Sequence, residues 1–226
     1  MKEKRIFYCE FAYILGMLVL AIGTSMMEKA NFGLSMVIAP AYLIHLKVSE
    51  FLPFFSFGMS GYVFQAFLLI LLSLITRKVK KSYFLSFATA VLYGIILDLM
   101  LGIFTIIPPL GLVGRLVFYF AGLVISAIGL AFLFQTYFPP EAYELFVKTI
   151  SQKYRLSLGT VKTTYDCCSC VLAIVLSLCF FGGLVGVHWG TVVCALFNGF
   201  LIGCFGKLLN HKLTFKDAFP LREKLN

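Results

Sequence analysis

Six stretches of this chain, at about 8–27, 57–76, 83–106, 113–136, 157–181 and 186–207, are long and apolar enough to cross a bilayer as helices. A hydrocarbon layer of roughly 30 Å needs about 20 helical residues, and in lipid a helix satisfies every backbone hydrogen bond within itself. No soluble core could absorb these segments. Hydrophobic residues make up 61% of 226 positions, charged residues 13%, and the mean hydropathy is +0.96, so the surplus apolar surface must face lipid. The basic start, Met1 to Arg5, runs directly into the first span without a small-residue cleavage site. That helix is therefore expected to be retained rather than removed as a signal peptide.

The spans fall into two similar halves. Leu15-Gly16 and Ala21-Ile22-Gly23 recur 106 positions later as Ala121-Gly122 and Ala127-Ile128-Gly129. Ser56-Phe57-Gly58 is echoed by Ser157-Leu158-Gly159, and Ala90 and Gly94 by Ala195 and Gly199. Two copies of three spans must lie in opposite orientations, a construction common among secondary transporters. The expected fold is an all-α membrane protein of six transmembrane helices arranged as two inverted three-helix repeats, residues 1–110 and 111–226. Each repeat adds a shorter segment after its first span. Segment 33–47 is apolar but interrupted by Pro40; segment 140–153 opens on Pro139-Pro140 and alternates apolar and charged residues at helical spacing. Both are expected to form short re-entrant or amphipathic helices. Gly16, Gly23, Gly122 and Gly129, seven residues apart within each copy, suit close helix contact.

The cations fix an expected orientation. With both termini inside, Lys2, Lys4, Arg5, Arg77, Lys78, Lys80, Lys81, Lys148, Lys153, Arg155, Lys207, Lys212, Lys216, Arg222 and Lys224 lie on the cytoplasmic side. Only Lys29, Lys47 and Arg115 lie outside, and Lys162 falls within a span. This positive-inside bias explains the formal charge of +9 by topology. The cations are scattered over short loops without interleaved aromatic platforms, so nucleic acid is not an expected partner. Trp189 and His188 stand where the last span begins at the outer surface, an ordinary interfacial anchor.

The second half, from Pro139-Pro140-Glu141 to Ile150, then Ser157-Leu158-Gly159-Thr160-Val161-Lys162-Thr163-Thr164-Tyr165-Asp166, and finally Gly190-Thr191 with Asn198-Gly199, resembles the YczE/YitT-type bacterial integral membrane proteins. The likeness extends to Leu15-Gly16, Gly23 and Gly33 in the first half. It implies a multi-pass protein of the bacterial cytoplasmic membrane, of poorly defined biochemistry and often regarded as a transporter. The first half departs from the pattern. Gly33-Leu34-Ser35-Met36 lacks a proline and an acid after the glycine, and Gln65 stands where Asp166 stands in the second copy.

Ionisable residues inside spans are costly in lipid and normally face a bundle interior or a water-filled cavity. Lys162 and Asp166, one helical turn apart, can pair. Two readings fit them: an ion pair that lets the helix enter the membrane, or, with Tyr165, the wall of a cavity whose pairing changes during transport. The candidate binding residues are Lys162, Tyr165 and Asp166, facing Gln65 on the second span and Asn198 on the sixth, with Glu28 and Glu144 near two entrances. Asp98 has no partner nearby in sequence and either carries a proton at depth or meets outer water. Glu141 is explained by its place at a helix start, where the macrodipole favours an acid.

Seven cysteines, three of them at Cys167, Cys168 and Cys170, do not form the arrangement of two CxxC pairs that makes a zinc site, and no histidine lies nearby in sequence to complete one. They are read as apolar packing residues, and no metal or cofactor is expected. No catalytic motif is present in the sequence, and an enzyme is not expected. The leading expectation is a secondary transporter or exporter of a small amphipathic or anionic solute. The alternative is a non-transporting membrane subunit: a substrate-capturing component of a larger transporter, or a scaffold or regulator. The expected partners are the lipid bilayer, that solute, and a second copy or a partner membrane subunit.

Overall fold

The computed structural model describes residues 5–33, 35–55, 57–78 and 80–218; Lys2, Lys4, Leu34, Ser56, Arg222 and Lys224 lie outside the described residues. In chain order the elements are β1 (Arg5–Tyr8), α1 (Cys9–Ala30), α2 (Ala39–Ser49), α3 (Phe57–Thr76), α4 (Lys81–Thr105), α5 (Leu112–Gln135), α6 (Ala142–Tyr154), α7 (Leu158–Phe181), α8 (Trp189–Lys212) and β2 (Leu213–Lys216). Six of these helices, α1, α3, α4, α5, α7 and α8, are long and apolar enough to cross a membrane. The chain is an all-α membrane protein with one addition that the periodicity did not announce. β1 and β2 pair in parallel, Arg5 opposite Leu213 through Tyr8 opposite Lys216, which sets the start of α1 and the end of α8 on one face of the bundle.

That face is called the terminal face below, and the opposite one the far face. Since α1 leaves the terminal face and the spans alternate, residue 78 returns to it while 52 and 106 lie on the far face. In a background free of reactive cysteines, Lys78→Cys and Lys216→Cys should react with a membrane-impermeant maleimide from one side. Leu52→Cys and Ile106→Cys should react from the other. Labelling of residues 78 and 216 from opposite sides would contradict the six-span path.

Large apolar side chains such as Phe67, Ile70, Leu74 and Phe84 point outward, as they must where the surrounding medium is lipid. Helices in such a medium gain little from hiding apolar surface from one another, so close backbone packing holds the bundle. α1 and α5 cross at their glycines. A Cβ added at Gly23 would lie 2.4 Å from the Ser126 nitrogen, and one at Gly129 would lie 2.5 Å from that of Leu20. Gly16 meets Gly129 and Gly23 meets Gly122, so the pair runs antiparallel. α7 and α8 make a second close contact, with a Cβ at Gly199 falling 2.5 Å from the Thr163 nitrogen. Gly94, the first-half counterpart of Gly199, has open space around it.

α2 and α6, at 11 and 13 residues, are too short to cross, reaching only about 16 and 20 Å. Both enter the bundle. The carbonyls of Pro139 and Pro140 accept hydrogen bonds from Thr89 Oγ1 (2.8 Å) and Ser86 Oγ (2.6 Å). These hydroxyls lie about 8 to 12 Å along α4 from its start at the terminal face. α6 then runs back to that face, where Lys153 Nζ donates to the Ile75 carbonyl. From the far side, Ala39 and Leu43 of α2 pack on Ala173 of α7 and Val187, and Ser60 Oγ donates to the Ala41 carbonyl at 2.6 Å. The two short segments are thus re-entrant from opposite faces. Pro40 stands in the first turn of α2, where its missing N–H costs nothing, whereas Pro139 and Pro140 precede Glu141, the N-cap residue of α6.

Candidate functional site

A cavity of about 110 Å³ lies at the centre of the bundle, between the two re-entrant segments. Ser35 to Ile38, leading into α2, line one side, and Pro140, Glu141, Tyr143 and Glu144, leading into α6, line the other. Met17, Leu20 and Met27 of α1 give much of the wall an apolar character.

The charged floor forms where α6 begins against α7. Ser157 caps α7, its hydroxyl accepting from the Thr160 N–H at 3.2 Å, and Lys162 follows a little over one turn later. Its Nζ donates to Glu144 Oε1 at 2.7 Å and lies 3.0 Å from Asp166 Oδ1. Lys162 and Asp166 are fully buried, and Glu144 is 7% exposed. Glu144 Oε2, both Asp166 carboxylate oxygens and Asn198 Oδ1 are buried without a well-formed hydrogen bond. The close approach of α7 and α8 at Gly199 is what brings Asn198 to this floor.

The residues singled out in the sequence separate in space. Lys162 and Asp166 make the expected turn-to-turn pair, and Asn198 lines the same cavity. Glu144 is not at an entrance but is the nearer carboxylate on Lys162, because α6 starts at depth. Tyr165 turns away from the cavity: its ring lies 5.8 Å from that of Phe146, in an apolar groove between α3 and α7. Gln65 is buried with Oε1 unpaired, outside the cavity lining. α6 packs against both α3 and α7, and the closest interhelical pair is α1 with α5. Glu28 is exposed at the far-face end of α1 and lines the cavity there. Asp98 lies exposed on α4 between Gly94 and Gly102, away from the cavity and with no ion pair among the described residues.

Glu141 was assigned no role from the sequence, yet it lines the cavity. It is the N-cap residue of α6 and its side chain makes no capping bond. Burial, and after it the charge of Glu144, push its carboxyl up to about 8 against the opposing pull of Lys162. The signal was available in Pro139-Pro140-Glu141: an acid that opens a re-entrant helix sits at depth, not in interfacial water. Tyr93 and Thr24, joined by a 3.0 Å hydrogen bond and also in the lining, were missed as well. Hydroxyls on spans give no sequence signal of which face they occupy.

Of the seven cysteines, Cys9, Cys170 and Cys194 are buried, whereas Cys168, Cys179 and Cys204 are exposed on the outer surface of the bundle. The packing reading suits the first three and not the last.

Residues 7–207 match the model of a family of unknown function, DUF6198. The chain belongs to that family. The match reaches from β1 into α8 and so spans both re-entrant segments and the whole cavity. It supplies no tie to the YczE/YitT type. No curated protein and no solved structure matches the chain.

Proposed function

We propose that this protein is a secondary transporter that carries a small solute by exposing the central cavity alternately to the two faces. The observation that carries the reading is the cavity itself, a charged site inside a lipid-facing bundle, bounded by re-entrant segments that enter from opposite sides. Transporter sites are commonly built at such interrupted helices, near mid-membrane. The helix pairings support the inverted-repeat reading over residues 1–110 and 111–226. α1 packs on α4 as α5 does on α8, α2 on α3 as α6 on α7, and α2 on α7 as α6 on α3. Movement of one half against the other would then open either face in turn. The cation distribution supports a bacterial cytoplasmic-membrane location with both termini cytoplasmic, and the YczE/YitT likeness agrees with it. The proposed transport involves no enzymatic step.

The test is flux through the purified chain in proteoliposomes, with a trapped pH dye reporting proton movement after pulses of organic cations, organic anions and neutral solutes. At least one class should give a saturating signal that is absent from empty vesicles. Folded protein that is silent to every class would overturn transport by the chain alone. Uptake that appears only with added membrane subunits would favour the substrate-capturing alternative.

A further inference from the structure

We propose that the central cavity takes an organic cation with a compact apolar body, and that the cation displaces a proton held by the Glu141–Glu144 pair. The proposal rests on the transporter reading for its purpose, but its argument is one of charge and shape. Glu141, Glu144 and, behind them, Asp166 are set against one ammonium, that of Lys162. Lys162 has no exposed surface and is held by two carboxylates, so an anion could reach it only by displacing one of them. The anionic solute expected from the sequence is therefore disfavoured. Glu28 adds a further carboxylate at the far-face end of the same cavity. Independently of the charge count, Glu144 Oε2 and Asn198 Oδ1 are acceptors left buried and unpaired in the lining. Such orphaned acceptors are costly and call for a donor, which an ammonium group supplies.

The remaining wall selects the kind of cation. Met17, Leu20, Met27 and Met36 with the rings of Tyr93 and Tyr143 offer apolar and π surface, suited to alkyl or aryl groups and to cation–π contact. A bare hard metal ion needs six to eight oxygen ligands in a shell. No three metal-ligating side chains converge among the described residues.

The proton has a defined place. Among the described residues, the titratable and charged groups set around Glu141 are Glu144 and Tyr143 on α6, Lys162 on α7, Tyr93 on α4 and Tyr13 on α1; Glu28 of α1 and Cys194 of α8 line the same cavity, to which α8 also brings Asn198 and α5 Ser126. With Glu144 tied to Lys162, Glu141 retains its proton at neutral pH. Arrival of a cation makes ionisation favourable, and the proton leaves to water. One positive charge enters and one departs, so the exchange is electroneutral.

Calorimetry on the whole chain in dodecyl maltoside tests this without requiring transport. The probe is benzyltrimethylammonium, with benzenesulfonate as its anionic mirror. The cation should bind saturably at pH 9 and at least about tenfold more weakly at pH 6, the range across which a group titrating near 8 regains its proton. Titrations in buffers of different ionisation enthalpy at pH 7 should show about one proton released per cation. Glu141→Gln, which keeps the side-chain shape, should elute as the parent does and lose both the pH dependence and the proton release. Binding of the sulfonate in place of the cation would overturn the proposal. So would cation binding by the parent that is unchanged from pH 6 to 9. Cation binding with no flux in proteoliposomes would refute transport and leave the site standing. Flux of anions or neutral solutes with no cation binding would do the reverse.

Discussion

Gly23→Val and Gly129→Val should each abolish recovery of folded protein, whereas Gly61→Val and Gly102→Val should be recovered as the parent is. At Gly23 an added Cβ would lie 2.4 Å from the Ser126 nitrogen and 2.7 Å from the Gly122 carbonyl oxygen. At Gly129 it would meet the backbone of Leu20 and Gly16 at 2.5 and 2.8 Å. Neither obstacle is a side chain that can rotate away. α1 and α5 would have to separate, at a cost of about 3 kcal/mol or more. In lipid no gain in apolar burial offsets that loss, since helix association there depends on close packing. Gly61 and Gly102 have nothing within 4 Å and serve as controls for the effect of a β-branched side chain on the helix itself. Fluorescence-detected gel filtration of the four variants decides the matter. A sharp parental peak for Gly23→Val would show that the two helices do not meet at their backbones.

Lys162→Met should destabilise the protein by about 3–5 kcal/mol, because it strands two buried carboxylates that had shared one cation. If Lys162 served Asp166 alone, adding Asp166→Asn would restore stability. The 2.7 Å contact with Glu144 gives a different expectation. The double variant stays destabilised, and only the triple variant Lys162→Met/Glu144→Gln/Asp166→Asn regains most of the loss, since an entire buried charge cluster can often be replaced at little net cost. Thermal denaturation in detergent measures this. Full recovery in the double variant would remove Glu144 from the cluster. Flux then separates the two readings of the charges. A folded triple variant that transports normally makes the cluster purely structural, while a folded and inactive one ties it to the solute.

The sequence by itself determined the membrane class and the positions of the long helices, because a span of about 20 apolar residues is a local property needing no knowledge of neighbours. α3 begins and ends where its apolar run predicts, at 57 and 76, and α4, α5 and α7 follow theirs within two residues. α8 begins three residues late, with His188 in the N-cap position before Trp189, and continues to Lys212. The glycines at 16, 23, 122 and 129 announced a packing face through their regular spacing, and the Lys162–Asp166 pair was legible because an interval of four residues fixes a shared helix face.

What depended on tertiary structure was depth and partner choice. Nothing in segment 140–153 said whether it lies on the membrane or dips into it. Thr89 and Ser86, some 50 residues earlier, hold Pro139 and Pro140 inside the bundle. That single fact moves Glu144 from an entrance to Lys162 and places Glu141, expected only as an acid at a helix start, in the cavity lining. The sequence echo pairs Gln65 with Asp166, yet only Asp166 joins the charged floor, while Gln65 lies outside the cavity. The parallel β1–β2 pair joins residues about 208 positions apart. Four-residue strands carry no local signal strong enough to stand out beside the helices they adjoin. Local pattern fixes what a segment is when its environment is uniform lipid. Which buried charge meets which depends on contacts between segments far apart in the chain, and no periodicity encodes those.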